Sequence, residues 1–245
     1  MTRAFAFLGS GEFEPWSEPV DRWVLERSDG DGGTLILPTA SAPEGDDAFD
    51  AWGAKGIEHY ERLGMTAEVV PIKTREDADR PEFVALIEGA SAVYFSGGNP
   101  YHLATALQGS AFCRAMYGRL DDGLGFVGCS AGVACLTETT YDTAAEDLTS
   151  DEIWKPGLGY VRRALFALHW DVVDTWFPGA QAFIASSVGP GRTLVAIDED
   201  TAMVGDGRSW RVLGRSDVHV LRDDRWIDHA SGSTFDLTLD LAARR

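Results

Sequence analysis

The chain of 245 residues contains little of what marks several common classes of protein. Its three cysteines are an odd number without the C-x-x-C spacing of metal sites, so we expect neither a disulfide framework nor a structural metal. Few cysteines fit a reducing compartment, and no apolar run is long enough for a signal peptide or a membrane span. We therefore expect a cytoplasmic protein that needs no metal and no other cofactor.

Basic residues are also scarce. The chain has 21 lysines and arginines against 39 acidic residues, which gives a formal net charge of −18. A surface of this charge disfavours nucleic acids and anionic membranes as partners. The composition does not set the oligomeric state, and a monomer and a homodimer both remain open.

Strand-like and helix-like segments alternate over the first half of the chain. The predicted strands are Ala4–Leu8, Thr34–Leu37, Ala67–Ile72, Ala92–Phe95 and Leu124–Val127. The predicted helices are Asp46–Leu63, Pro81–Ile87, Tyr101–Leu107 and Phe112–Leu120. This alternation predicts a mostly parallel sheet with helices on both faces, and ligands bind at the carboxyl ends of the strands in such sheets.

The last third of the chain has a different pattern. Two apolar segments, Leu165–His169 and Leu194–Ile197, are typical of core strands. Short strands separated by turns follow, at Thr201–Gly205, Trp210–Leu213, Val218–Leu221 and Trp226–Ile227. They predict antiparallel hairpins that finish the sheet. Because no linker-like segment interrupts the chain, we expect residues 1–245 to form one domain.

The most informative segment is Gly128-Cys129-Ser130-Ala131-Gly132, which lies between a predicted strand and a helix-compatible stretch. A G-x-S-x-G sequence in this context is typical of a nucleophile elbow, a sharp turn that exposes a serine hydroxyl. The alternative is a glycine-rich turn with a capping serine. In an elbow, Ser130 is the nucleophile and Cys129 points into the sheet.

A serine nucleophile needs a histidine base and a group that orients it. His169 ends a buried apolar run and is the first candidate, whereas His59 lies mid-helix and is expected on the surface. The acids considered as the orienting group lie between the serine and the histidine, at Glu138, Asp142, Glu146 and Asp147. The N–H groups of Ala131 and Gly98 are the candidate oxyanion donors.

Several segments together resemble the S51 family of serine peptidases, which includes aspartyl dipeptidases and cyanophycinases. They are Leu8–Phe13, Tyr94–Asn99, Gly128–Gly132, Gly157–Gly159 leading to His169–Asp171, and Leu194–Ala202. The resemblance implies a flavodoxin-like three-layer α/β sandwich related to class I glutamine amidotransferases. It implies a hydrolase of small peptides, such as aspartyl dipeptides or related isopeptides.

The same resemblance implies roles for individual residues. Ser130 is the nucleophile, His169 the base, and Gly98 with Ala131 the oxyanion donors. Asp142 matches the family's acid best, with Glu146 and Asp147 as alternatives, and Asp198–Ala202 is expected to be structural and to pack behind the site. An acidic substrate would need a cation, and the candidate substrate-binding residues are Asn99, Arg162, Arg163 and Arg192. An inactive amidotransferase-like binding domain and an esterase-type hydrolase are the alternative functions.

Overall fold

The fold is built on an eight-stranded sheet, in a computed structural model that describes residues 3–30, 33–147 and 149–242. Its parallel strands are β1 (Ala4–Leu8), β2 (Thr34–Leu37), β3 (Ala67–Val69), β4 (Ala92–Phe95) and β5 (Gly125–Cys129). They lie side by side in the order β1-β5-β4-β2-β3. All of these strands except β3 are buried throughout, as expected of a parallel sheet that is covered on both faces.

Helices cover both faces of this sheet, which confirms the predicted fold class. The helices are α1 (Glu18–Leu25), α2 (Asp46–Arg62), α3 (Pro81–Gly89), α4 (Pro100–Leu107), α5 (Ala111–Leu120), α6 (Ala131–Ala134), α7 (Val173–Trp176) and α8 (Ala180–Ser186). α1 and α2 pack on one face, and α3 to α5 pack on the other. Within the described ranges, no helix combines the length and the apolar character needed to cross a bilayer.

The strands after β5 lie in the main sheet, in a second sheet of four strands and in two separate two-stranded pairs. They are β6 (Thr139–Tyr141), β7 (Trp154–Pro156), β8 (Val161–Arg162), β9 (Ala164–Leu168), β10 (Thr193–Ile197), β11 (Thr201–Gly205), β12 (Ser209–Gly214), β13 (Val218–Arg222), β14 (Arg225–His229), β15 (Thr234–Asp236) and β16 (Asp240–Leu241). β11, β12 and β15 extend the main sheet beside β1, whereas β14-β13-β10-β9 form a separate four-stranded sheet. The sequence pattern predicts that the antiparallel hairpins of this region all finish one sheet, and the structure instead divides them between two sheets.

The second sheet packs against the main core because β9 is apolar on both faces. Phe166 and Leu168 join the main core, where the rings of Phe7 and Phe166 lie 5.2 Å apart. Leu165 and Ala167 point to the opposite face. β9 and β10 are parallel, with Leu168 paired with Ile197, so their carboxyl ends lie at the same edge.

His59 corrects one expectation about the surface. Its side chain is fully buried, and Nε2 lies 2.8 Å from Oδ2 of the buried Asp21. Tyr60 donates from its hydroxyl to the other oxygen of the same carboxylate, at 2.9 Å. A position in mid-helix does not reveal which face of the helix is buried, and the face of α2 that carries His59 packs against α1.

His219 on β13 links the second sheet to the residue after β10. Its ring nitrogens lie 2.7 Å from Asp228 Oδ1 and 3.1 Å from Asp198 Oδ1. Burial lowers the pKa of His219, but the hydrogen bonds to Asp198 and Asp228 outweigh burial and raise the pKa to about 9. The protonated imidazole therefore stabilises the folded state.

We predict that His219→Gln lowers the free energy of unfolding most below about pH 6.5, the ordinary pKa of histidine in an unfolded chain. Because the folded pKa is raised, the stabilisation is complete below that pH and is lost as the pH rises through about 9. Urea denaturation of both proteins between these pH values measures the difference. A difference independent of pH would show that the charge on His219 contributes nothing.

Candidate active site

Ser130 stands at a strained turn between β5 and α6. Its backbone has φ 48° and ψ −110°, a conformation rare for residues other than glycine, and its N–H donates to the carbonyl of Leu8 at 3.0 Å. α6 lies so close to β4 that a Cβ on Gly132 would be 2.1 Å from the carbonyl oxygen of Phe95. The glycine therefore permits the sharp turn that the elbow sequence predicts.

His169 reaches the serine from the second sheet. It follows β9 directly, and its Nε2 lies 2.7 Å from Ser130 Oγ. Its backbone also has a positive φ, 94°, so both members of this contact occupy unusual backbone conformations. The contact has the geometry of a nucleophile and its base.

The other ring nitrogen of His169 faces Glu199. Nδ1 lies 3.2 Å from Glu199 Oε1, and the two side chains are about one quarter exposed. Glu199 follows β10, the parallel neighbour of β9, which explains why the two side chains meet at one edge. The N–H of Glu199 donates to Asp171 Oδ1 at 2.9 Å and fixes the start of this turn.

The structure does not bring Asp142 to His169. Asp142 Oδ1 accepts from Asn99 Nδ2 at 2.7 Å and from the N–H of Ala144 at 3.0 Å. Glu146 is exposed, and Asp147 Oδ1 accepts from the N–H and hydroxyl of Thr149. The geometry thus places Glu199 in the orienting position.

The expectation that Asp198–Ala202 is only structural is corrected by the same contact. Asp198 does fit it, because its carboxylate accepts from Ser216 Oγ at 2.6 Å and binds His219. Glu199 does not. The sequence signal for Glu199 is the acidic run Asp198–Asp200 directly after a core strand, which lies beyond His169 and so outside the serine-to-histidine interval that contains the predicted acids.

Gly98 lies beside the serine, at the end of β4. It lines the same pocket as Ser130 and His169, and its φ of 133° favours glycine. A Cβ there would be 2.4 Å from the backbone of Ala40. The next residue, Asn99, caps α4 by accepting from the N–H groups of Tyr101 and His102, so the whole turn is held in place.

Glu12 is a residue of the site that sequence reasoning did not single out. Its side chain is buried beneath the turn, where Oε1 accepts from the N–H of Gly97 at 2.8 Å. Its Oε2 accepts from Cys129 Sγ at 2.9 Å. Burial raises the pKa of the Cys129 thiol well above its ordinary value, and the charge of Glu12 raises it further. The thiol therefore stays protonated and points away from the site, as the elbow predicts.

The three candidate arginines do not line the pocket that contains Ser130. Arg192 lies behind Trp154, 3.8 Å from Glu138 Oε2. Arg162 lies in β8, where it pairs with Asp240 of β16, and Arg163 follows it with a positive φ of 56°.

The pocket beside Ser130 and His169 has a volume of about 300 Å³. Apart from Ser130, Thr143 and His169, its lining is mostly apolar and aromatic. The principal wall residues are Tyr141, Ile153, Trp154, Phe166, Leu168 and Ile184. Within the described part of the chain, neither a lysine, an arginine nor a carboxylate lines this pocket.

The sequence profile of peptidase family S51 matches residues 5–213, most of the chain. The chain belongs to peptidase family S51. The match confirms the resemblance drawn from the sequence. It also covers every residue placed at the site above.

Two solved structures have a similar fold. The crystal structure of a peptidase from an acI-B1 actinobacterium superposes with a TM-score of 0.86 at 28% identity, covering 97% of this chain and 98% of that one. A putative peptidase E protein from Listeria monocytogenes superposes with a TM-score of 0.62 at 17% identity, covering 88% of this chain and 100% of that one, and shows the fold alone.

The chain is also similar to curated cyanophycinases. The one from Nostoc sp. is 25% identical over 175 residues, which cover 69% of this chain and 58% of the relative. The one from Synechococcus elongatus is 26% identical over 204 residues, which cover 80% of this chain and 61% of the relative. The chain thus spans about three fifths of the length of these relatives.

We predict that Glu12→Ala lowers the free energy of unfolding by about 1–3 kcal/mol, because it leaves the buried N–H of Gly97 without an acceptor. Glu12→Gln is the matched control, since its amide oxygen can still accept that hydrogen bond. Urea denaturation of the three proteins measures the change. An equal loss in both variants would contradict the acceptor role.

Proposed function

We propose that this chain is a serine peptidase that hydrolyses small peptides. Ser130 is the nucleophile, His169 the general base and Glu199 the group that orients the base. The observation that carries the proposal is the chain of contacts from Ser130 Oγ to His169 Nε2, 2.7 Å, and from His169 Nδ1 to Glu199 Oε1, 3.2 Å. Membership of family S51 supports it.

In the first step, Ser130 Oγ attacks the carbonyl carbon of the scissile peptide bond while His169 Nε2 takes the hydroxyl proton. The bond between Oγ and carbon forms, and the carbonyl oxygen becomes an oxyanion. The oxyanion then re-forms the carbonyl and the C–N bond breaks, while the protonated imidazole gives its proton to the leaving amine and an acyl-enzyme remains. Water, activated by the same imidazole, hydrolyses the acyl-enzyme and restores the serine.

The surrounding groups stabilise the charges that develop in these steps. The carboxylate of Glu199 holds His169 in the tautomer whose Nε2 accepts a proton, and it stabilises the imidazolium that follows. The N–H groups of Gly98 and Ala131 are the proposed donors to the oxyanion. Because Asp142 binds Asn99, we assign it the positioning of the Gly98 turn.

A binding domain without catalysis would not need the strained backbone of Ser130 and His169, which argues for the hydrolase. Aspartyl dipeptides remain a prediction from the family resemblance. The cytoplasmic location, the organisation as one domain, and the monomeric or homodimeric state also stay predictions.

We predict that Ser130→Ala lowers kcat by about 10⁴-fold or more while the folded state is retained, because the hydroxyl forms the acyl-enzyme. The measurement combines turnover of a dipeptide panel with labelling by a fluorophosphonate probe. Cys129→Ala is the control and should keep the label. Labelling of the Ser130→Ala protein at wild-type rate would overturn the assignment of the nucleophile.

A second pair of variants tests which carboxylate orients His169. Glu199→Gln should lower kcat by roughly 10³–10⁴-fold, since His169 loses its orienting anion. Asp142→Asn makes the same chemical change on a residue that contacts Asn99 instead, and we expect a loss below about tenfold, the effect of a displaced turn rather than a lost charge. Steady-state kinetics compare them, and a larger loss at Asp142 would return the role to that residue.

A further inference from the structure

The pocket beside Ser130 differs in chemistry from a site for acidic side chains. Its apolar lining includes Phe166 and Leu168 of β9, Trp154 of β7 with the preceding Ile153, and Ile184 of α8. Ser130 and His169 line the same pocket. A substrate side chain adjacent to the scissile bond would therefore leave water and enter an apolar cavity of about 300 Å³.

An acidic side chain would find neither a lysine nor an arginine among the described residues that line this cavity, and its donors are neutral groups such as the Thr143 hydroxyl and the Trp154 indole. Burying a carboxylate without a cationic partner is unfavourable. The arginine nearest in sequence to α8, Arg192, faces a separate cavity on the other side of Trp154 and reaches towards Glu138 and Thr139. The net charge of −18 adds a field that repels acidic substrates.

Two exposed aromatic residues stand at the rim. Trp176 is 51% exposed and Phe177 is 39% exposed, although both line the pocket. The ring of Trp176 lies 5.3 Å from that of His169, centroid to centroid. Large aromatic surfaces left open beside a pocket are covered when an apolar ligand binds.

We infer that this site accepts peptides with a large apolar side chain, aromatic or branched aliphatic, next to the scissile bond, and that it discriminates against acidic ones. The inference rests on the proposed function, because it assigns the pocket to the substrate of Ser130. The aspartyl specificity that the resemblance implies is the competing prediction, and the tests below distinguish the two.

The first test compares dipeptides in which alanine is combined, in either order, with phenylalanine, leucine or aspartate. We expect kcat/KM for the better phenylalanine or leucine peptide to exceed that of both aspartate peptides by roughly ten- to a hundredfold, the effect of burying one apolar side chain. Equal or better turnover of an aspartate peptide would overturn the inference.

A charge placed in the pocket supplies the second test. Ile184→Arg should lower the ratio of phenylalanine to aspartate turnover at least about tenfold, because the guanidinium gives the carboxylate a partner. Ile227→Arg is the matched control: Ile227 is 55% exposed on β14 and does not line the pocket, so its ratio should not change. An unchanged ratio in Ile184→Arg would contradict the assignment of the pocket.

Calorimetric binding of the same peptides to the Ser130→Ala protein separates this inference from the proposed function. Tighter binding of the phenylalanine peptide without hydrolysis by the wild type would support the pocket and overturn the peptidase. Hydrolysis with tighter binding of the aspartate peptide would support the peptidase and overturn the pocket.

Discussion

The approach of α6 to β4 at Gly132 is the constraint on which the site depends. Without a side chain there, the backbone of α6 packs against the carbonyl of Phe95, and the chain must turn sharply at Ser130. Because β5 lies between β1 and β4, the serine hydroxyl emerges at the middle of the sheet edge. The turn containing Gly98 follows the neighbouring strand, so Ser130 and Gly98, the proposed nucleophile and oxyanion donor, belong to one rigid frame.

The imidazole and the carboxylate that meet beside Ser130 come from the second sheet. β9 and β10 pair in parallel, and each carries one polar residue just beyond its last buried position, His169 and Glu199. Packing of Phe166 against Phe7 holds this sheet on the core of the first. The site is therefore assembled where two sheets present their carboxyl edges to each other.

The parts of this arrangement that local sequence determines could be predicted. The central strands are short apolar runs, and the elbow has its own sequence pattern. His169 ends such a run, and the structure places it beside Ser130. Glu199 was missed because its role depends on the pairing of β9 with β10, which neither segment encodes alone. Glu12 was missed for the same reason, since its partners Gly97 and Cys129 are distant in sequence. The division of the late strands between two sheets is also a property of the whole chain.

The 2.7 Å contact between Ser130 and His169 joins side chains held by different sheets. The second sheet ends in β14, whose residues are mostly exposed, so its outer strand contributes few buried contacts. Regions of this kind open at a lower free energy than the core. In the proposed mechanism hydrolysis needs this contact, so activity would report whether the two sheets stay packed together, and warming should inactivate the protein before its helices melt.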